Sequence, residues 1–534
     1  MPHLDIYDCT LRDGTQREGL SLSADDKLKI ARKLDELGVA YIEGGYPSSN
    51  PKDAAFFQQV RGLTWQHATI CAFGMTRRKG THAHDDATLK ALLNAGTRVI
   101  TIVGKSWDMH VEKVLETTLE ENLAMIADTV AYLRQQGRTV FYDAEHFFDG
   151  MQANRDYALA TVRGAASAGA QVVILCDSNG GRLPQDITAG VNAAAGAIST
   201  PLGIHTHNDG DLASANTLAG VDAGCVQVQG TINGYGERCG NANLCSVIPM
   251  LELKRGHSCL PAGRLAHLTE VSHFVAELAN LPPDTHLPYV GQSAFAHKGG
   301  MHIDAIAKSE QSYQHIDPAL VGNAKRILIS ELAGKGSVVQ KVSEYGLTRR
   351  TPAEASQMIA QIKDLEHRGF QFEGAEASFE LILRRSEPSY VAPFRLLDFT
   401  VLVEKRHDHR TNNMIVEATV KLRVGEQIMH TAAEGNGPVN ALDAAMRKAL
   451  LAFYPQLAHV TLTDYKVRIL DGDAGTSAVV RVLITSHDGQ RTWNTVGSSP
   501  NIIEASWLAL ADSLEYALLA ANGQKREEHE QEKV

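Results

Sequence analysis

LGIHTHND, residues 202–209, opens apolar and ends polar, with His205 and His207 two positions apart. Read as a strand, it sends both imidazoles to one side, because successive strand residues alternate faces. Read as a loop, it carries no directional information. The neighbouring segments favour the strand. QVVILCDS (171–178) before it and CVQVQGT (225–231) after it are equally short and β-rich, and the stretches between carry helical periodicity. Further runs of this kind are LDIYDCT (4–10), AYIEGGYP (40–47), TICAFGM (69–75), RVITIVG (98–104) and TVFYDAEHF (139–147). Between the first two of these, SADDKLKIARKLDELG offers Ser23 or Asp25 as a helix cap and Gly38 as a stop. Eight alternations in the first half of the chain match a (β/α)8 TIM barrel better than an open doubly wound sheet, which usually holds fewer strands.

Such a barrel places its chemistry at the C-terminal ends of its strands. Polar residues collect there: Arg12 and Asp13 after strand one, Glu43 in strand two, and Glu145 and His146 after strand five. Asp177, Ser178 and Asn179 follow strand six, His205, His207, Asn208 and Asp209 end strand seven, and NGYGERCGNAN follows strand eight. Two other H-x-H pairs read differently. His82 and His84 in THAHDD fall in a loop before a helix, and His407 and His409 in KRHDHR fall at a predicted hairpin tip between FTVLVE and MIVEATVKL. Only His205 and His207 have convergent oxygen donors. Two imidazoles and a carboxylate leave open positions on a divalent ion, as a catalytic centre requires. Asp13 is the natural carboxylate, since strands one, seven and eight adjoin in a closed barrel. The mixed nitrogen and oxygen set suits Mn, Mg, Co or Zn.

At 534 residues the chain is too long for one core. Its 51 basic and 62 acidic residues, net −11, argue against a nucleic-acid partner. No apolar run reaches membrane-spanning length, and MPHLDIYDCTLRDG lacks the layout of a signal peptide. The seven cysteines are scattered without a C-x-x-C pair, which disfavours disulfides and thiolate zinc sites and fits a reducing cytoplasm. The expected organisation is a barrel over 1–265, a mostly helical subdomain over 266–384, an α+β domain over 385–520 and a disordered tail over 521–534. The α+β region holds a weak internal repeat. GNGPVNALDAAMRKALLAF (435–453) and GSSPNIIEASWLALADSLEYAL (497–518) each follow strands and read Gly, Pro, then an apolar-periodic helix.

DCTLRDGTQ, YIEGG, GIHTHND, GYGERCGN and HKGGMHIDA, in this order, resemble the acetyl-CoA-dependent Claisen-condensing synthases of the DRE-TIM metallolyase superfamily. That group includes isopropylmalate, homocitrate and citramalate synthases. KLDELGVAYIEGGYPSSNPKD and AFGMTRRKG look closest to the citramalate branch. The resemblance implies a metal held by Asp13, His205, His207 and Asn241, and a 2-keto acid, pyruvate, chelating it. It implies that Arg12 stabilises the developing alkoxide with Glu43 holding its guanidinium, and that Glu145 serves in acid/base chemistry. Ser178, where relatives usually carry Thr, would meet the keto-acid carboxylate, and Tyr142 would shape its pocket. His302 matches the family's catalytic histidine for the acetyl methyl protons, with Tyr313 nearby in sequence. In relatives this subdomain reaches over the neighbouring subunit's barrel, so a homodimer is implied. The implied products are (R)-citramalate and CoA, the first step of a threonine-independent isoleucine route. Isoleucine is the implied feedback effector of the C-terminal domain. Open alternatives are another keto acid, as in isopropylmalate or homocitrate synthase, a metal-dependent carbon-carbon lyase, and a non-catalytic amino-acid sensor.

Overall fold

The computed structural model describes residues 2–328, 341–347, 351–405 and 414–531. Two compact units emerge. The first runs to Phe295 and includes Ile316–Lys325; the second joins Ala296–His315 to the chain from Arg326 onward.

The first unit is a closed parallel barrel of eight strands in chain order. They are β1 (Asp5–Asp8), β2 (Tyr41–Gly45), β3 (Thr69–Met75), β4 (Val99–Lys105), β5 (Thr139–Glu145), β6 (Val172–Asp177), β7 (Leu202–Thr206) and β8 (Gln227–Gly230). Closure is the pairing of β1 with β8, Asp5 opposite Gln227 through Asp8 opposite Gly230. Alternation along the strands makes two layers. Tyr7, Cys9, Cys71, Val99, Phe141, Val172, Ile174 and Cys176 fill the interior. Ile6, Ile42, Ile100, Val140, Tyr142, Val173, Ile204 and Val228 pack outward against the helices. Both faces of each strand are thus covered, which is why these strands read as continuous apolar runs.

Helix α1 (Ala24–Leu37) starts where expected. The Ser23 hydroxyl accepts from the Asp26 N–H at 3.1 Å, the Asp26 carboxylate answers at the Ser23 N–H, and Gly38 stops the helix at φ 97°. His82 and His84 are exposed in the loop after β3 with stacked rings, as a surface pair should be. This unit continues past residue 265 because helix Leu268–Leu278 buries Val271 and Val275 in the barrel's own core, and its Glu270 meets Lys33 of α1 at 2.5 Å.

The second unit carries helix Gly300–Lys308, helices Pro352–His367 and Glu376–Arg385, and two three-stranded antiparallel sheets. The sheets are Arg395–Lys405, Met414–Val424 and Gln427–Gly435, followed by helix Pro438–Leu450, and Thr461–Ile469, Val480–His487 and Thr492–Ser499, followed by helix Ile502–Gln531. The repeat seen in sequence is therefore a duplicated βββα unit, and its details recur. Each first strand breaks register near its start, at Leu396/Asp398 and at Leu462/Asp464. Each third strand ties to its helix by a threonine hydroxyl, Thr431 to the Ala445 carbonyl and Thr495 to the Ala509 carbonyl, both at 2.7 Å.

The last helix is drawn through the charged segment after residue 520, to Gln531. His407 and His409 lie outside the described residues. Among the described residues, no helix is long and apolar enough to cross a membrane.

Candidate active site

The C-terminal ends of β1, β2, β7 and β8 bring together one polar cluster. Arg12 follows β1; its Nε donates to Glu43 of β2 at 2.5 Å and its Nη1 to Asp13 at 3.0 Å. The guanidinium carbon lies 3.9 Å from the centre of the Phe73 ring, a cation–π contact that covers one face. Glu43 is fully buried and also accepts from the Tyr7 hydroxyl at 2.9 Å, which in turn meets Thr101 at 2.7 Å. Burial would favour a neutral Arg12, but the carboxylates of Glu43 and Asp13 outweigh it and hold the group cationic. Burial likewise pushes Asp13 up, yet Arg12, the two histidines and the Asn241 amide prevail and hold it at about 2.

Asp13, His205 and His207 are all buried, and one ligand atom from each lies within 4.8 Å of the other two. Their hydrogen bonds determine which lone pairs face inward. The Gln229 amide donates to Asp143 at 3.1 Å, so its oxygen accepts, and His205 Nδ1 at 2.9 Å must carry the proton. His205 Nε2 is then a bare lone pair, 3.3 Å from His207 Nε2 and 3.7 Å from Asp13. Burial lowers both histidines, His207 to about 3, so both imidazoles are neutral. Asn241 donates to Asp13 at 2.9 Å and to the Tyr235 carbonyl at 3.3 Å, leaving its Oδ1 buried without a partner. Two neutral imidazoles, a charged carboxylate and an orphaned amide oxygen within reach of one another are the mixed nitrogen and oxygen donor set of a divalent cation. The residues fit a divalent metal.

The loop that carries Asn241 is locked against β7. Asn208 N–H reaches the Gly240 carbonyl at 2.8 Å, and Ala242 N–H reaches the Thr206 carbonyl at 2.9 Å. Gly240 has φ 93°, and a Cβ there would lie 2.0 Å from the Gly234 carbonyl oxygen. Only glycine permits this approach.

On the same face, Glu145 ends β5 in an ion pair with Lys105 of β4, and the Ser178 hydroxyl after β6 accepts from the His146 N–H at 2.9 Å. His302 and Tyr313 belong to the second unit, where their exposed rings stack at 4.0 Å. Tyr142 is a correction. It is fully buried in the layer between strands and helices, its ring against Gly104 and outside the barrel interior, so it does not line a substrate pocket. Strand parity explains this: Glu145 faces the barrel mouth, so Asp143 and Phe141 face inward and Tyr142 outward. The same parity was the available signal for two missed residues, Asp143 and Gln229, which orient His205 from below.

The HMGL-like family matches residues 3–275, the homocitrate synthase post-HMGL domain-like family matches 289–369, and the LeuA allosteric (dimerisation) domain matches 373–518. The chain is 53% identical to the (R)-citramalate synthase of Synechocystis over 96% of each chain. It is 50% identical to the (R)-citramalate synthase of Geobacter sulfurreducens over 97% of this chain and 98% of that one. Similarity to a 2-isopropylmalate synthase of Methanocaldococcus jannaschii is lower, 30% over 95% of this chain and 93% of that one.

Proposed function

The chain belongs to the (R)-citramalate synthases of the HMGL-like family, and from this membership we propose roles for the clustered residues in a condensation of acetyl-CoA with pyruvate. The reaction joins the acetyl methyl carbon to the keto carbon of pyruvate, and water then cleaves the thioester to give (R)-citramalate and CoA. Asp13, His205, His207 and Asn241 would hold a divalent cation, which when bound would supply Lewis acidity to the keto group of the 2-keto acid.

The protein's own groups do the rest. Arg12, fixed by Glu43 and backed by Phe73, presents a permanent positive charge to the oxygen that becomes an alkoxide. Its orientation is set before substrate arrives, so little reorganisation is needed as charge develops. The Ser178 hydroxyl binds the pyruvate carboxylate. Glu145, tied to Lys105, exchanges protons with the alkoxide and the attacking water. The partner subunit's His302, stacked on Tyr313, removes a methyl proton from the acetyl group, and the resulting enolate attacks. A homodimer supplies both halves, and isoleucine acts on the duplicated βββα units, a reading supported by their match to the LeuA allosteric domain. Seven free cysteines, six of them buried, suit a reducing cytoplasm.

The observation that carries this reading is the convergence of Asp13, His205, His207 and Asn241 beside the Arg12–Glu43 pair. It is tested with purified protein and a keto-acid panel, with and without isoleucine. Pyruvate releases CoA and forms citramalate, 2-oxoisovalerate and 2-oxoglutarate do not, and isoleucine slows the pyruvate reaction. Faster turnover of 2-oxoisovalerate would overturn the pyruvate assignment.

A further inference from the structure

Ser178, the proposed contact of the pyruvate carboxylate, is fixed by two residues in left-handed backbone. Arg238, at φ 56°, donates to the Ser178 carbonyl at 2.8 Å and is braced by Asp209, also at 2.8 Å. His146, at φ 57°, donates its N–H to the Ser178 hydroxyl oxygen at 2.9 Å. Arg238 thus holds the main chain of Ser178, while His146 bears on the side-chain group that would bind. A non-glycine residue in this region of backbone is strained unless its surroundings keep it there.

For His146 the surroundings act on its ring, which is buried. Nδ1 lies 3.0 Å from Asp149, in the helix Phe147–Ala153 that begins at the next residue. The Asp149 carboxylate also accepts from Asn179 at 2.9 Å and from Arg182, both in the loop that carries Ser178. Burial would raise the Asp149 carboxyl, but His146 and Arg182 outweigh it and hold the group below its ordinary value. A charged carboxylate can only accept, so His146 Nδ1 carries the proton of their bond. Against the ring lie His110, at 4.1 Å between centres, and Trp107, at 5.6 Å, both from the segment after β4. The ring is therefore clamped between the segments that follow β4 and β6, and the left-handed turn is held with it.

This turn decides what the Ser178 hydroxyl can do. A serine hydroxyl has one proton to donate and two lone pairs. The His146 N–H occupies a lone pair, and among the described residues no acceptor takes the proton. We propose that His146 is a positioning residue for the keto acid: its clamped ring holds the turn that aims its N–H at Ser178, and this leaves the Ser178 proton to the substrate carboxylate. The inference rests on the reading of Ser178 as the carboxylate contact and adds what orients it.

The test is a double-mutant cycle read by thiol release, with KM measured for pyruvate and for acetyl-CoA. His146→Ala loses the ring and raises the KM for pyruvate about tenfold, the scale of one misaligned charge-assisted hydrogen bond. It leaves the KM for acetyl-CoA unchanged and kcat within about threefold, as loss of uniform binding does. His146→Gly takes the left-handed turn without a ring to hold it, so its KM for pyruvate stays within about threefold of the unaltered value. Asp149→Asn keeps His146 but removes the charge that ties its ring; it shifts the pyruvate KM in the same direction as His146→Ala and answers the question should the alanine chain not fold. In a Ser178→Ala background, neither His146→Ala nor Asp149→Asn raises the pyruvate KM further, an outcome that a general loss of structure does not give. If Ser178→Ala raises that KM and His146→Ala or Asp149→Asn still adds its full effect, the positioning role falls and the Ser178 reading stands. An equal rise in His146→Gly and His146→Ala places the effect in the ring itself and also overturns the role. A Ser178→Ala chain with the unaltered KM for pyruvate removes the Ser178 reading, and the inference with it.

Discussion

Glu43 makes two interactions at once. It is fully buried, and its two oxygens accept separately from Tyr7 and from Arg12. Glu43→Gln keeps the volume but removes the charge that holds Arg12 in line, so the guanidinium is drawn towards Asp13, its remaining carboxylate. We expect kcat/KM with pyruvate to fall about 10²-fold, the usual cost of disturbing an oxyanion-stabilising donor. Bound metal should be unchanged, because Glu43 lies outside the ligand set; thiol release and metal analysis measure the two quantities. Retained kcat/KM would remove Glu43 from the positioning of Arg12. Asp8, one turn of chain earlier, titrates in the opposite sense from Asp13. Burial pushes its carboxyl up to about 7, despite hydrogen bonds from the Thr10 N–H and hydroxyl. Between about pH 4 and 7 the folded chain keeps a proton that the unfolded chain has released. Stability therefore falls as pH rises through that window, by at most ~1.4 kcal/mol per pH unit for this one group, and levels off above 7. Asp8→Asn removes that slope. Denaturant unfolding at pH 5 and at pH 7.5 should show the variant gaining on the unaltered protein at the higher pH, and a difference that is the same at both would count against the raised carboxyl.

At the scale of elements, the loop after β8 shows how backbone geometry places Asn241, a proposed ligand. Gly240→Ala asks a left-handed residue to carry a Cβ that collides with the Gly234 carbonyl, so the loop must move and Asn241 moves with it. Metal affinity should drop about 10- to 100-fold, as for other changes that misorient a ligand, while the barrel stays folded. Equilibrium dialysis against Mn, with circular dichroism as the control, decides it, and unaltered affinity would mean that Asn241 is not a ligand. Much of this architecture is legible in the sequence, because strands buried on both faces stand out as short apolar runs and polar residues cluster at their ends. His205 and His207 could be placed as soon as their segment was read as a strand. Tyr142 was misplaced for want of one step, counting parity back from Glu145. Parity turns Gln229 inward, but what it does there comes only from the His205 and Asp143 it meets across the barrel. The pairing of His302 with Tyr313 was visible as proximity in sequence, but their stacking depends on the turn after helix Gly300–Lys308.

The whole molecule divides its proposed machinery between two compact units, with Arg12 and the metal ligands in one and His302 in the other. If a homodimer exchanges these units, each working site draws Arg12 from one chain and His302 from its partner. That arrangement has a stoichiometric consequence. In the proposed roles Arg12→Ala loses the charge that meets the alkoxide and His302→Ala loses the base, so either variant alone should be inactive. When the two are unfolded together and refolded as a mixture, about half of the dimers are mixed by random pairing. A mixed dimer contains one site with both residues intact and one with neither. The mixture should therefore recover about a quarter of the unaltered activity, a fraction set by combinatorics alone. Were His302 to serve the barrel of its own chain, every site in the mixed dimer would lack one residue, and no activity would return. Refolded unaltered protein gives the reference yield, and sedimentation establishes that dimers have formed. Recovery near a quarter assigns His302 to the partner's barrel, and none at all returns it to its own.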